Sequence, residues 1–94
     1  MRKSDLIELA AKRGDLTIDR ARVVVDALFD EMTEAMRRGE RIEIRDFGNF
    51  TVKEHDGYEG RNPRTGEPVQ VPQKRLPLFR AGKGLKDAVN EKER

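Results

Sequence analysis

Between Thr17 and Gly39, the apolar residues Ile18, Ala21, Val25, Leu28, Met32 and Ala35 recur at alternating spacings of three and four. That period winds them into one seam along an amphipathic helix, the pattern of a helix that packs on another helix. Val24, Phe29 and Met36 widen the seam beyond what one neighbour covers. A helix apolar over so wide an arc must be enclosed from more than one side. The rest of the chain has little to enclose it with, since only 35% of the 94 residues are hydrophobic and 40% are charged. A single copy of this size buries too little of its unfolded surface to be more than marginally stable. Dimerisation is one common remedy.

The flanking segments read as follows. Ser4 is the expected cap of a first helix, with Asp5 and Glu8 placed for its dipole, Leu6, Leu9 and Ala10 on its apolar face and Gly14 at its end. Thr17 caps the second helix, and Arg37, Arg38 and Gly39 close it. The period then drops to two. Arg41-Ile42-Glu43-Ile44-Arg45 alternates strictly, Asp46 to Asn49 reads as a turn, and Phe50 and Val52 alternate with Thr51 and Lys53. From 55 to 77 the character changes. Gly57, Gly60, Pro63 and Gly66 are followed by Pro68, Pro72 and Pro77, with Val69 and Val71 alternating about Gln70. This is a long hairpin with its tip at Asn62-Pro63 and Thr65-Gly66, and its prolines guard the edges. It is too poor in apolar residues to join the core, so it should project. Leu78 and Phe79 return to the body. Gly82 precedes a short last helix with Leu85, Ala88 and Val89 on one face, and residues 90–94 are expected to fray.

Composition narrows the function. One histidine, no cysteine, no cluster of metal ligands and no nucleophile beside a base argue against an enzyme. No cofactor, metal or small-molecule substrate is expected, and Ala81-Gly82-Lys83-Gly84 lacks the full phosphate-loop pattern. No apolar run approaches the length of a membrane span, and the polar start, Met1 to Asp5, does not read as a signal peptide. The absence of cysteine fits a reducing compartment. Charge is unevenly placed: residues 55–86 hold seven Lys/Arg against three Asp/Glu, while the segments on either side are each one unit negative. A basic stretch on a near-neutral body is the footprint of a phosphate-binding surface, although a solvated loop with ordinary lysines gives the same count.

Three motifs then carry a resemblance. Gly60-Arg61-Asn62-Pro63-Arg64-Thr65-Gly66-Glu67 resembles the arm-tip signature of the HU and integration host factor family of bacterial histone-like DNA-binding proteins. Asp46-Phe47-Gly48-Asn49-Phe50 is similar to that family's Gly-Phe-Gly-Asn-Phe turn, and Phe79-Arg80-Ala81-Gly82-Lys83 to its link into the last helix. The order helix, helix, hairpin, arm, helix matches over essentially the whole chain.

The resemblance implies an α+β fold. Two N-terminal helices, a three-stranded antiparallel sheet with a long projecting β-arm and a short C-terminal helix would form an intertwined dimer, with Leu28, Phe29, Met32, Phe47, Phe50 and Phe79 as its candidate shared core. The chain would be one domain, 1–94, divided into a helical dimerisation part (1–39), the sheet (40–54), the DNA-binding arm (55–77) and a last strand end with the C-terminal helix (78–94). Its partner would be double-stranded DNA in a cytoplasmic, nucleoid-associated setting. This family is itself a standing example of minor-groove binding with an intercalating wedge. By resemblance, Pro63 is the wedge and Arg61, Asn62 and Arg64 contact the minor groove. Lys3, Lys53, Lys74, Arg75, Arg80, Lys83 and Lys86 are the candidate phosphate contacts. Gly39 to Arg45 looks like the beta subunit of integration host factor, where the pair matching Glu43 and Arg45 helps select sites. A site-preferring subunit of a heterodimer is therefore the alternative to a weakly selective homodimer. A purely protein-binding dimer with a degenerate arm stands behind both. The arm base departs from the family's basic pattern, with His55, Asp56, Tyr58 and Glu59, and Asp46 and Ala81 stand where glycine and proline are usual.

Overall fold

The computed structural model describes residues 1–91. Eight elements follow in order: α1 (Lys3–Gly14), α2 (Ile18–Arg37), β1 (Ile42–Ile44), β2 (Gly48–His55), β3 (Tyr58–Arg61), β4 (Pro68–Val71), β5 (Lys74–Ala81) and α3 (Lys83–Val89).

The first two helices pair through Ile7 and Ala11 of α1 against Ala21 and Val25 of α2. Among the described residues these four side chains are the entire buried core. The consequence for shape is large. The radius of gyration is 19.5 Å and the extents are 59 × 39 × 27 Å, whereas a compact chain of this length has a radius near 12 Å. On α2, Leu28 is 56% exposed and Phe29 is exposed too, and on the sheet side Phe47 and Phe79 are exposed. Met32 and Phe50 are half-buried. All six candidate core residues therefore keep open surface in one copy.

The helix ends depart in detail from the expectation. Arg2, not Ser4, is the α1 cap, because the Asp5 carboxylate turns back to accept from the Arg2 N–H at 2.7 Å and starts the helix two residues earlier than a Ser4 cap would allow. At the other end Gly14 remains helical and Asp15 takes the left-handed conformation, φ 53° and ψ 47°. Aspartate tolerates that region better than most side chains. Thr17 caps α2 as expected, its hydroxyl accepting from the Arg20 N–H at 3.2 Å.

Three strands make one antiparallel sheet in the order β1-β2-β5, and β3 pairs with β4 in a separate ribbon. In the sheet Ile42 faces Phe50, Phe50 faces Phe79, and the β2–β5 ladder continues out to His55 opposite Lys74. The strands thus pass the expected divisions at 54/55 and 77/78. Pro77, read as a guard on the hairpin's edge, lies within β5 opposite Val52. It is accommodated because β5 is an edge strand, where a missing N–H need not remove a ladder bond.

The sheet closes on α3 through a tight junction. The ring of Phe79 stacks obliquely on Phe50 at 4.7 Å and on Phe47 at 5.7 Å. Gly48 is buried beneath it. A Cβ there would stand 2.5 Å from the Arg80 carbonyl oxygen and 2.6 Å from the Phe79 ring. Asp46 holds the β1–β2 turn in the left-handed region at φ 65°, which is why glycine suits this position. Its carbonyl accepts from the Leu85 N–H at 2.9 Å, and that of Phe47 accepts from the Gly82 N–H at 2.8 Å, so the turn docks on the start of α3. The approach is close enough that a Cβ on Gly84 would lie 2.9 Å from the Cβ of Asp46. Asn90 closes α3, its side-chain amide donating to the Lys86 carbonyl at 2.9 Å. Of the stretch expected to fray, 90–94, this cap orders the first residue, and residues 92–94 lie outside the described ones.

Candidate nucleic-acid interface

The arm tip is a braced turn. The Asn62 N–H donates to the Glu67 carbonyl at 2.8 Å and the Gly66 N–H donates back to the Asn62 carbonyl at 2.7 Å. The Asn62 side-chain oxygen accepts from the Arg64 N–H at 2.9 Å, an Asx turn that spans Pro63. Thr65 adds a fourth bond, its hydroxyl accepting from the Glu67 N–H at 3.3 Å. Proline brings a fixed φ and no N–H of its own to satisfy. Pro63 is exposed at the apex, and Arg61 and Arg64 beside it are exposed as well. Neither arginine has an acidic partner within 4 Å among the described residues. Asn62 is half-buried and its oxygen is committed to the turn, which leaves its amide N–H groups as the available donors.

The basic residues of the body divide by what they already hold. Lys53, Lys74, Arg80 and Lys86 are exposed and make no ion pair among the described residues. Lys83 sits at 2.9 Å from Asp87, one helical turn on. Lys3 reaches Asp26 of α2 at 2.8 Å. That hydrogen bond, with the charges of Asp26 and Asp30, lifts the Lys3 ammonium above the ordinary lysine range. Arg75 is turned inward. It donates to the carbonyls of Arg37 at 3.2 Å and Met36 at 3.5 Å, and lies 3.8 Å from Glu54. The guanidinium satisfies the Arg37 carbonyl, one of the groups that a helix end leaves unpaired, and adds to the bond that the Met36 carbonyl already accepts from the Gly39 N–H at 2.9 Å. Arg75 therefore ties the base of the arm to the end of α2.

Glu43 and Arg45 share one face of β1 with Arg41. Glu43 is taken by Arg41 at 3.1 Å, while Arg45 is exposed and unpaired among the described residues. With its amide oriented to suit this network, Asn49 accepts from the Arg41 guanidinium at 2.9 Å. Glu43, Arg45, Asp46, Asn49 and Lys83 line an open groove of about 490 Å³ between the β1–β2 turn and the start of α3. Sequence reasoning did not assign Arg41 or Asp87 a part in the site. The i,i+4 spacing of Lys83 and Asp87 was a legible signal for the second. Among the described residues no helix is long and apolar enough to cross a membrane.

A profile described as Bacterial DNA-binding protein matches residues 1–90. The chain is 45% identical over 89 residues to the DNA-binding protein HU of Geobacillus stearothermophilus, covering 95% of this chain and 99% of that one. It belongs to the HU family of bacterial DNA-binding proteins. The HU of Staphylococcus aureus (strain COL) is 44% identical over the same shares of both chains. Among solved structures, an Anabaena HU–DNA cocrystal structure superposes with a TM-score of 0.82 at 33% identity, covering 96% of this chain and 98% of that one. HU from Thermotoga maritima gives 0.67 at 27% identity, with 96% and 100% covered. The HU match runs without interruption of the element order, so the tip at Pro63, the β1–β2 turn and the start of α3 all fall inside it.

Proposed function

We propose that this chain is an HU-type architectural protein that bends duplex DNA with weak sequence preference, working as an intertwined homodimer on the bacterial nucleoid. Each arm enters the minor groove and each Pro63 inserts between base pairs. The observation that carries the reading is the tip: a rigid proline, free of backbone donors and braced by the hydrogen bonds of Asn62, stands exposed between two arginines with no acidic partner among the described residues. A wedge must hold its shape to unstack bases, and the flanking cations meet the strong negative potential of a narrow minor groove.

A second copy supplies what α2 and the sheet lack. Leu28, Phe29, Phe47 and Phe79 are apolar groups that a lone chain leaves in water, and they lie on the elements that an intertwined dimer would join. Lys53, Lys74, Arg80 and Lys86 are assigned to phosphates outright. Lys83 and Lys3 join them by exchanging Asp87 and Asp26 for a phosphate oxygen, and Arg75 contributes chiefly by fixing the arm base. The site-preferring heterodimer has less support, because the chain is 44–45% identical over nearly its whole length to HU proteins.

The test uses two dye-labelled duplexes, one intact and one nicked, titrated at several salt concentrations. Expected are a steep salt dependence, tighter binding to the nicked duplex and a shortened end-to-end distance on binding. Binding without shortening would remove bending. Absence of binding at low salt by the chain alone, cured by a paralogous subunit, would restore the heterodimer.

A further inference from the structure

The arm ribbon has two chemically different faces. In the β3–β4 pairing Tyr58 stands opposite Val71, Glu59 opposite Gln70, Gly60 opposite Val69 and Arg61 opposite Pro68. Directly opposed residues share a face and successive residues alternate. Tyr58, Gly60, Val69 and Val71 therefore form one face, and Glu59, Gln70, Arg61 and Pro68 the other. The side-chain packing agrees: a Cβ built on Gly60 would lie 3.6 Å from both the Tyr58 ring and the Val71 methyl. Tyr58 is 63% exposed and Val69 is 44% exposed, although nothing in one chain covers them.

We infer that this apolar face is the one the arm lays against DNA, and that Tyr58 packs on the deoxyribose wall of the minor groove. The inference rests on the minor-groove reading above. Within the ribbon only Glu59 and Arg61 are charged, and both are on the other face. The phosphates line the rims of the groove, whereas its walls are largely C–H surface of the sugars. Turning the Tyr58 face inward buries apolar surface there and aims the Glu59 carboxylate at water. Turning the other face inward would carry Glu59 toward the phosphates and leave Tyr58 and Val69 exposed. Arg61 is the last paired residue before the tip, so its long side chain reaches the groove edge from either face. Beyond one end of the ribbon lies the Pro63 wedge. At the other the ribbon leads toward Lys74 and Lys53, where phosphate contact resumes. The arm thus grips charge at its tip and its base and lies on sugar in between. Its phenol also sets a polar tip on an apolar body, suited to a surface with sugar and phosphate oxygens at its margins.

The chain has one tyrosine and no tryptophan, so tyrosine emission reports on this position alone. Full-length protein is titrated with the nicked duplex while tyrosine emission and its quenching by iodide are read beside a mobility shift. Expected is a change in emission that tracks the shift, with iodide losing access to Tyr58 in the complex. Tyr58→Ala should bind about tenfold weaker at fixed salt with an unchanged salt slope. Tyr58→Arg should steepen the log–log slope by about 0.9, one added phosphate contact. Tyr58→Phe should bind within about twofold of wild type, since the ring supplies most of the contact. Tyr58 lies outside the buried core, so these variants keep the fold. A normal mobility shift with Tyr58 still open to iodide would overturn the assignment while leaving the architectural reading intact. Emission that changes with protein concentration before any DNA is added would give the face to a second copy instead. Absence of a shift with either duplex would sink the minor-groove reading, and this inference with it.

Discussion

Gly48→Ala should weaken this fold more than any other single methyl group at the sheet end. The new Cβ meets a backbone oxygen, that of Arg80, at 2.5 Å and the Phe79 ring at 2.6 Å. Neither neighbour yields freely. The oxygen belongs to β5, whose Arg80 and Ala81 are paired with Asn49 and Gly48. Moving it opens the ladder, at about 1 kcal/mol for each bond lost. The ring can swing away only by leaving Phe50 at 4.7 Å and Phe47 at 5.7 Å, contacts worth about 0.5–1.5 kcal/mol each beyond their buried area. Overpacking of this kind costs about 1–3 kcal/mol in general. With backbone on one side and a doubly stacked ring on the other, the upper end applies, about 3 kcal/mol. For a chain of this size that lowers the melting temperature by about 15 °C. The assay is thermal unfolding by circular dichroism at one fixed protein concentration, because association contributes to apparent stability. Gly66→Ala is the control. Gly66 has φ 74° but nothing within 4 Å of its would-be Cβ, so it incurs only backbone strain of about 1 kcal/mol, confined to the arm tip. A Gly48→Ala protein melting within about 3 °C of wild type would refute the packing argument.

Four further outcomes are expected. Pro63→Ala should stay within about threefold of wild type on the nicked duplex, where the deformation cost is already met, and lose end-to-end shortening on the intact one; unchanged shortening removes the wedge. Lys86→Ala should flatten the salt slope by about 0.9, and Lys83→Ala by less, since Lys83 starts from an ion pair with Asp87; equal slopes for both would contradict that ordering. Arg75→Met should cost about 1 kcal/mol of stability by uncovering the α2 carbonyls, read as a lowered urea midpoint, while leaving the salt slope near wild type. The melting temperature should rise with protein concentration, because one chain leaves Leu28, Phe29, Phe47 and Phe79 exposed and the proposed homodimer would cover them; a concentration-independent transition would mean that one chain is self-sufficient.

The larger architecture was legible because it rests on period. The three-and-four spacing of α2, the alternation of Arg41 to Arg45, and the cluster of glycine and proline about the tip each depend on a few adjacent residues. Excess apolar surface on α2 was legible for the same reason, and it is what leaves the single chain with four buried side chains. The motif match then named the wedge. What escaped is what depends on partners far along the chain or on competition between neighbours. Nothing near Arg75 signals that its guanidinium covers the end of α2, since Met36 and Arg37 come adjacent only once the sheet has folded back. Ser4 is a better cap by type than Arg2, yet the reach of Asp5 decided the helix start. Pro77 reads as a guard on the arm's edge, and only the strand order shows that it sits inside β5, the edge strand of the sheet. Asn62, read as a groove contact, holds the turn at Pro63 through its side-chain oxygen, a part that composition does not reveal.

The contact between Asp46 and Gly84 bears on how this sequence can drift. Their two Cβ positions would fall 2.9 Å apart, so the junction has room for one methyl-sized group and not for two. Asp46 occupies that room, and Gly84 leaves it vacant. Asp46→Gly, which also relaxes the φ of 65°, removes only half of the obstruction, because the same Cβ on residue 84 meets the carbonyl oxygen of residue 46 at 2.9 Å. That oxygen is held by the Leu85 N–H and stays whatever side chain residue 46 carries. Drift at this junction is therefore one-sided: position 46 can exchange aspartate for glycine, while position 84 stays closed to any side chain.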